Sequence, residues 1–286
     1  MRHAISLLVL FSCASSQALG QWMGKQTGCY ADSIAANPNR PTVANPADIT
    51  QYGVLELEYG VDHLWLEGGV HQTSLGGLLK FGLLCDLELR WTMESFLSQA
   101  DDTGTHWTFG DNWLGPQVRI YHQTKRVPTI AFAYGVKIPS ASTEAGLGSG
   151  RVDYFVGILV SKDIAHIHFD FNATHFWLGR PGTSGFDQND QLNLAFSSTI
   201  HGGLGFTGEF YGQTEVNQNT ASFVSSLWAL TYVIKPRLVI DGGFEGGLTS
   251  GGPHRHVFAG LTYSIGNLYP GWRYRKVSGQ AEKINP

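Results

Sequence analysis

The chain has 286 residues, of which 42% are hydrophobic and only 15% charged, a balance between that of a soluble enzyme and that of a helical membrane protein. A net charge of −4 without any basic block gives no footing for a nucleic-acid partner. Abundant Gly (36) and aromatics (12%) suit a chain built mostly of strands, with Gly at bends and aromatic rings on exposed faces.

Residues 1–20 read as a secretory signal peptide. Arg2 and His3 start it, Ile5 to Phe11 form a short apolar run, and Ala18 and Gly20 give small-residue cleavage spacing, so the mature chain is expected to begin at Gln21. Leu10-Phe11-Ser12-Cys13 is loosely like a lipoprotein box, but the preceding run is short and Phe11 is bulky. No later apolar stretch approaches the ~18 residues of a membrane helix. Cys29 and Cys85 remain after cleavage. Export permits a disulfide between them, and two free thiols are the alternative.

Residues 21–51 form a periplasmic lead-in or a plug; the part from Cys29 to Thr50 is rich in Ala, Asn and Pro (Pro38, Pro41, Pro46). From residue 52 to 265 a different pattern takes over. Side chains alternate strictly between large apolar and polar, in segments of about ten residues, as on strands with two unlike faces. Leu55, Leu57, Tyr59 and Val61 oppose Glu56 and Glu58, and Leu79 and Phe81 oppose Lys80. Leu87, Leu89, Trp91 and Met93 oppose Glu88, Arg90, Thr92 and Glu94. The phase continues with Val118 and Ile120 against Arg119, and Ile130 to Ile138 against Lys137. Val152 to Val160 then oppose Asp153, and Ile167, Phe169 and Phe171 oppose His166, His168 and Asp170. Further on, Leu192 and Leu194 oppose Asn193, and Phe206 and Phe210 oppose Glu209. Trp228 and Leu230 oppose Ser225 and Thr231, Ile240 and Phe244 oppose Asp241 and Glu245, and Val257 to Ile265 oppose His256, Thr262 and Ser264.

Short connections at 84–86, 124–126, 162–164, 201–203 and 234–236 alternate with longer ones, among them Leu97–Asn112, Ser140–Gly150 and Leu178–Asn189. This is the pattern of an all-β, antiparallel up-and-down transmembrane β-barrel of about twelve strands, with tight periplasmic turns and longer outer loops. Residues 266–286 read as a polar periplasmic tail.

No outward position is Asp, Glu, Lys or Arg, as expected where Lys or Arg at the bilayer midplane costs ~2–4 kcal/mol. Tyr134, Trp177, Trp228, Tyr232 and Tyr263 are expected in aromatic girdles. The inward charges then line the lumen: Glu56, Glu58, Lys80, Glu88, Arg90, Glu94, Arg119, Lys137, Asp153, Asp170, Glu209, Asp241 and Glu245. Their acidic bias favours cations or neutral solutes. His166-Ile167-His168 places two rings on one face, yet no further ligands gather around them, and His254 and His256 read as loop polarity. No Gly-x-Ser-x-Gly elbow or Ser-His-acid arrangement is evident, so neither an enzyme nor a cofactor or metal is expected.

Several segments resemble the outer-membrane family named for the MetA pathway of phenol degradation. They are Gly135-Val136-Lys137-Ile138-Pro139-Ser140 with Gly148-Ser149-Gly150 and Asp153, Asn39-Arg40-Pro41-Thr42, Gly53 to Tyr59, Leu87 to Trp91, and Phe258 to Tyr263. Ser140 stands where Thr is commoner in the family. The resemblance implies a single outer-membrane barrel, a transporter-like protein without catalytic residues; uptake of aromatic or other small organic compounds is suggested by the family's name alone. The function expected is therefore a monomeric channel or transporter for small organic solutes, set in outer-membrane lipid. Residues Cys29–Thr50 and Leu97–Asn112 are the segments where a gate would lie. A structural or adhesion-type barrel with a closed lumen is the first alternative, and an outer-membrane enzyme the second.

Overall fold

Strands whose two faces differ this sharply bury the polar face only by closing on themselves. In the computed structural model, which describes residues 33–218 and 220–269, they do so. The strands are β1 (Val54–Trp65), β2 (His71–Leu84), β3 (Leu87–Asp101), β4 (Gly104–Thr108), β5 (Asn112–Tyr121), β6 (Thr129–Ile138) and β7 (Tyr154–Ile164). They continue with β8 (Ile167–Gly179), β9 (Phe186–His201), β10 (Leu204–Gln213), β11 (Phe223–Lys235), β12 (Leu238–Gly247) and β13 (Arg255–Asn267). Neighbours pair antiparallel in chain order, except that β3 pairs with both β4 and β5. β1 joins β13 with Tyr59 opposite Leu261 and Gly60 opposite Gly260, so the sheet has no free long edge. The result is a closed antiparallel barrel of twelve strands, with β4 as an extra short strand.

The outward faces carry exposed Leu89, Phe132, Ile158, Leu194, Leu230 and Ile240, while most of the inward charged residues are buried and Arg90, Glu94 and Arg119 are half-buried. Exposing that much apolar surface to water would cost ~25 cal/mol per Å², a cost that lipid removes. Ile158→Arg, at the middle of β7, is therefore expected to lower stability by ~2–4 kcal/mol in urea unfolding from vesicles. A loss near zero would place that face in water.

Tight connections close one end, at 85–86, 165–166, 202–203 and 236–237. The connection expected to be a short turn at 124–126 is longer, covering 122–128. Longer connections lie at the other end, at 66–70, 139–153, 180–185, 214–222 and 248–254. We call these the turn end and the loop end.

Two expectations are corrected. Leu97–Asn112 is a hairpin rather than a loop: β3 runs on to Asp101 and returns as β4, with Leu97 opposite Thr108 and Asp101 opposite Gly104. Alternation persists there, and Trp107 stacks on Phe96 with ring centroids 6.5 Å apart, so the ladder continues past the apolar belt. At its tip, hydrogen bonds from the Thr103 hydroxyl and backbone amide hold the Asp101 carboxyl below the usual carboxylate range. The aromatic girdle is also only partly formed. Trp177, Tyr232 and Tyr263 lie toward strand ends, whereas Tyr134 and Trp228 sit in mid-strand. Trp228 packs there against Phe196, Phe206 and Phe210 on the outer face.

Candidate functional site: the lumen and the segment that crosses it

Residues 34–53 form no helix or strand, so their amides and carbonyls need partners from elsewhere. Inside the barrel the wall supplies them. The segment enters at the turn end, where the Ala36 amide donates to the Pro236 carbonyl (2.8 Å). It then crosses the lumen from one carboxylate to the next. Asn37 donates to Glu56 (2.9 Å), and the consecutive amides of Asn39 and Arg40 donate to the two oxygens of Glu58 (both 2.8 Å). Val43 and Ala44 repeat that arrangement on Glu209 (both 2.7 Å). Asn45 donates to Asn172, Ala47 to the Ser161 hydroxyl and Thr50 to Glu88 (2.6 Å) before the chain enters β1. Charged acceptors make hydrogen bonds roughly twice as strong as neutral ones, so four wall carboxylates fix the path of the segment.

Lys80 lies at the centre of this network. Its ammonium group is fully buried and sits 2.7 Å from Glu56 and 2.6 Å from Glu58. It also donates to the Asn37 carbonyl and to Asn39 Oδ1. A buried ammonium group survives only when paired and hydrogen-bonded, and here half its partners come from the inner segment. Arg40 crosses to Asp241 (3.1 Å), over the facing pair Gly60 and Gly260. A Cβ at either glycine would lie within 2.7 Å of the guanidinium, so only glycine leaves room for it. The Arg40–Pro41 bond is cis.

The other inward charges are also matched. Arg90 donates to Gln117 and Asn45 and lies 3.7 Å from Glu88. Arg119 joins Asp86 and the segment's Asp48, each at 2.9 Å. Lys137 lies between Asp111 (3.1 Å) and Asp153 (2.5 Å), and Asp153 also accepts the Gly179 amide. Asp170 accepts the Ser161 hydroxyl and contacts His168, which also meets Asp163. Glu245 accepts from Tyr211 and lies 2.7 Å from His256, whose other ring nitrogen is 3.1 Å from Asp62. Glu94 is different: among the described residues no Lys, Arg or His nitrogen lies within ion-pair distance of its carboxylate. Outside the apolar belt, Asp187 beside Arg180 raises the pKa of that guanidinium further.

The segment lies between two cavities. One, of 630 Å³, opens toward the loop end, with Asn39, Arg40, Thr42, Val43 and Asn45 as its floor. The other, of 510 Å³, lies toward the turn end against Ala36–Thr42, Pro46 and Asp48. The wall of the loop-end cavity is not uniformly polar. Trp113, Phe155 and Phe176 form one aromatic patch there, with centroids 5.5, 5.8 and 6.4 Å apart. Phe155 lies over Gly135, where a Cβ would be 2.1 Å from the ring.

Aromatic rings and Leu159 thus share the inward face with the charged side chains. Alternation already held this signal, because Phe155 falls between outward Tyr154 and Val156, and Phe176 and Trp113 keep the inward parity of their strands. His256 keeps the inward parity of β13 and bridges two carboxylates there, so the loop polarity read for it is corrected. His166 sits in the turn before β8, and among the described residues no group of three or more His, Cys, Asp or Glu side chains is placed to hold a metal ion. Cys85 is disulfide-bonded, whereas Cys29 and the signal peptide lie outside the described residues.

A closed twelve-strand barrel with an apolar outer belt and a charged interior defines an outer-membrane β-barrel protein. The chain belongs to the family described as "Putative MetA-pathway of phenol degradation", whose model matches residues 38–265, the inner segment from Pro38 onward included. Among solved structures it is similar to an outer membrane channel from Pseudomonas putida F1, at 12% identity and a TM-score of 0.57, covering 84% of this chain and 98% of that one. It also aligns with the KdgM porin solved with disordered oligogalacturonate (9% identity, TM-score 0.49, 74% of this chain and 99% of that one). A third alignment is with the CymD monoaromatic hydrocarbon channel (9% identity, TM-score 0.45, 77% and 90%). No curated protein matches the chain by sequence.

Proposed function

We propose that the protein is a passive outer-membrane channel for small organic solutes, with residues 34–50 as a plug that narrows the lumen. The observation that carries this reading is the pair of cavities on either side of the segment, one of them walled by aromatic rings. An aromatic patch among charged residues offers a ring-bearing solute an apolar resting place inside a wet passage. The family description, with its reference to phenol degradation, agrees with such cargo. In this reading the loop end faces the exterior and the turn end the periplasm.

Planar-bilayer recording tests it. The folded protein is expected to give small discrete steps, with a reversal potential showing cation preference, because Glu94 adds an unpaired negative charge to the loop-end cavity. A second reading, a structural barrel with a closed lumen, draws on the dense bonding of the inner segment. A folded protein without steps, whether or not the segment is present, would favour that second reading.

A further inference from the structure

We propose that the loop-end cavity selects aromatic ammonium cations, compounds carrying a ring and a protonated amine a short chain apart, over neutral phenols and aromatic acids. This rests on the channel reading for its place on a solute path, but not for the binding itself.

Two independent features of the cavity meet here. The first is the aromatic patch of Trp113, Phe155 and Phe176, whose rings lie at tilted and edge-on angles and form a wall rather than a single contact. Such a wall takes the face of another ring, and its π-electron density also attracts a cation. The second is Glu94, an inward carboxylate lining the same cavity with no cation within ion-pair distance among the described residues. The two are adjacent by register. Thr92 of β3 faces Trp113 of β5 directly, and Glu94 is the next inward residue along β3, about 7 Å further toward the loop end. Its carboxylate lies over Gly110, two residues before β5, where a Cβ would be 1.8 Å from Oε2, and on the other side it meets the Ser74 hydroxyl of β2. A ring on the patch with an amine two or three bonds away would bring the ammonium group to this carboxylate.

The neighbouring charges sharpen the selection. Arg40, Arg90 and Lys137 each have carboxylate or amide partners already, so they offer an aromatic acid no free cation. A neutral phenol would gain the ring contact alone. A carboxylate-bearing ring would meet Glu94 as a like charge, which disfavours it.

The test is calorimetric titration of the full mature chain, folded in detergent, with phenethylammonium, n-butylammonium, phenylacetate and phenol. Phenethylammonium is expected to bind at least about tenfold more tightly than each of the others, combining a charge-assisted contact with ring stacking. Glu94→Gln should remove the preference over phenol while ring binding persists. Phe155→Leu with Phe176→Leu should remove the preference over n-butylammonium. Folding of each variant is checked by heat-modifiable gel migration. Comparable binding of phenylacetate, no binding of phenethylammonium, or unchanged selectivity in Glu94→Gln would overturn the proposal. Selective binding without solute flux would leave the site standing and remove the channel reading, whereas flux without charge selection would do the reverse.

Discussion

Replacing residues 34–50 with a Gly/Ser linker of equal length is expected to raise unitary conductance several-fold while leaving a folded barrel. The segment is held by contacts made one at a time along its length, to Glu56, Glu58, Glu209, Ser161 and Glu88. A linker that cannot supply Asn39, Arg40 and Asp48 side chains loses the ion pairs to Asp241 and Arg119 and the contact with Lys80. The wall carboxylates would then be hydrated by lumen water, which partly replaces the lost amides. The strand ladders and the lipid-facing belt do not involve the segment, so the barrel should remain closed. Single-channel recording gives the conductance, and heat-modifiable migration reports the fold. Unchanged conductance with the barrel intact would show that the constriction lies elsewhere, the β3–β4 hairpin being the first place to look.

Lys80→Met should have the largest effect on stability of any single substitution in the lumen, a loss of ~3–5 kcal/mol, as for removal of one partner from a buried ion pair. The ammonium group serves two carboxylates and two acceptors on the inner segment. Without it, Glu56 and Glu58 face each other across one inward step of β1 with only amide and hydroxyl donors to hold them. Adding Glu56→Gln to Lys80→Met should recover part of the loss, because the Glu56 oxygen that Lys80 held accepts nothing else, whereas both Glu58 oxygens must stay acceptors for the Asn39 and Arg40 amides. Urea unfolding from vesicles measures both variants. A loss below about 1 kcal/mol for Lys80→Met would mean that water reaches these carboxylates freely.

The barrel was legible because a membrane-spanning strand imposes its period on the sequence. Glu56, Glu88 and Asp153 could be placed on one face, and Leu89 and Ile158 on the other, from parity alone. What those inward residues face was not legible, since alternation gives a direction but no partner. Glu58 and Glu209 read as lining for a pore, yet each holds two consecutive backbone amides of the inner segment. Backbone amides leave no side-chain signature, and the segment supplying them has no period of its own. Gly60 and Gly260 likewise carry no sequence sign that they clear space for Arg40. The aromatic patch is a different case. Its parity was available at Trp113, Phe155 and Phe176, but an inward ring is recognised as a site only when strands far apart in sequence bring three together.

The central claim is that solutes pass through this lumen, around the inner segment and along the aromatic wall. Uptake by proteoliposomes tests it most directly, comparing a phenol-sized solute with a tetrasaccharide across the intact protein. Entry of the small solute well above protein-free vesicles is expected, with exclusion of the tetrasaccharide and admission of the larger sugar once residues 34–50 are replaced. Exclusion of both solutes by both proteins, with the barrels folded, would contradict it and leave a closed structural barrel.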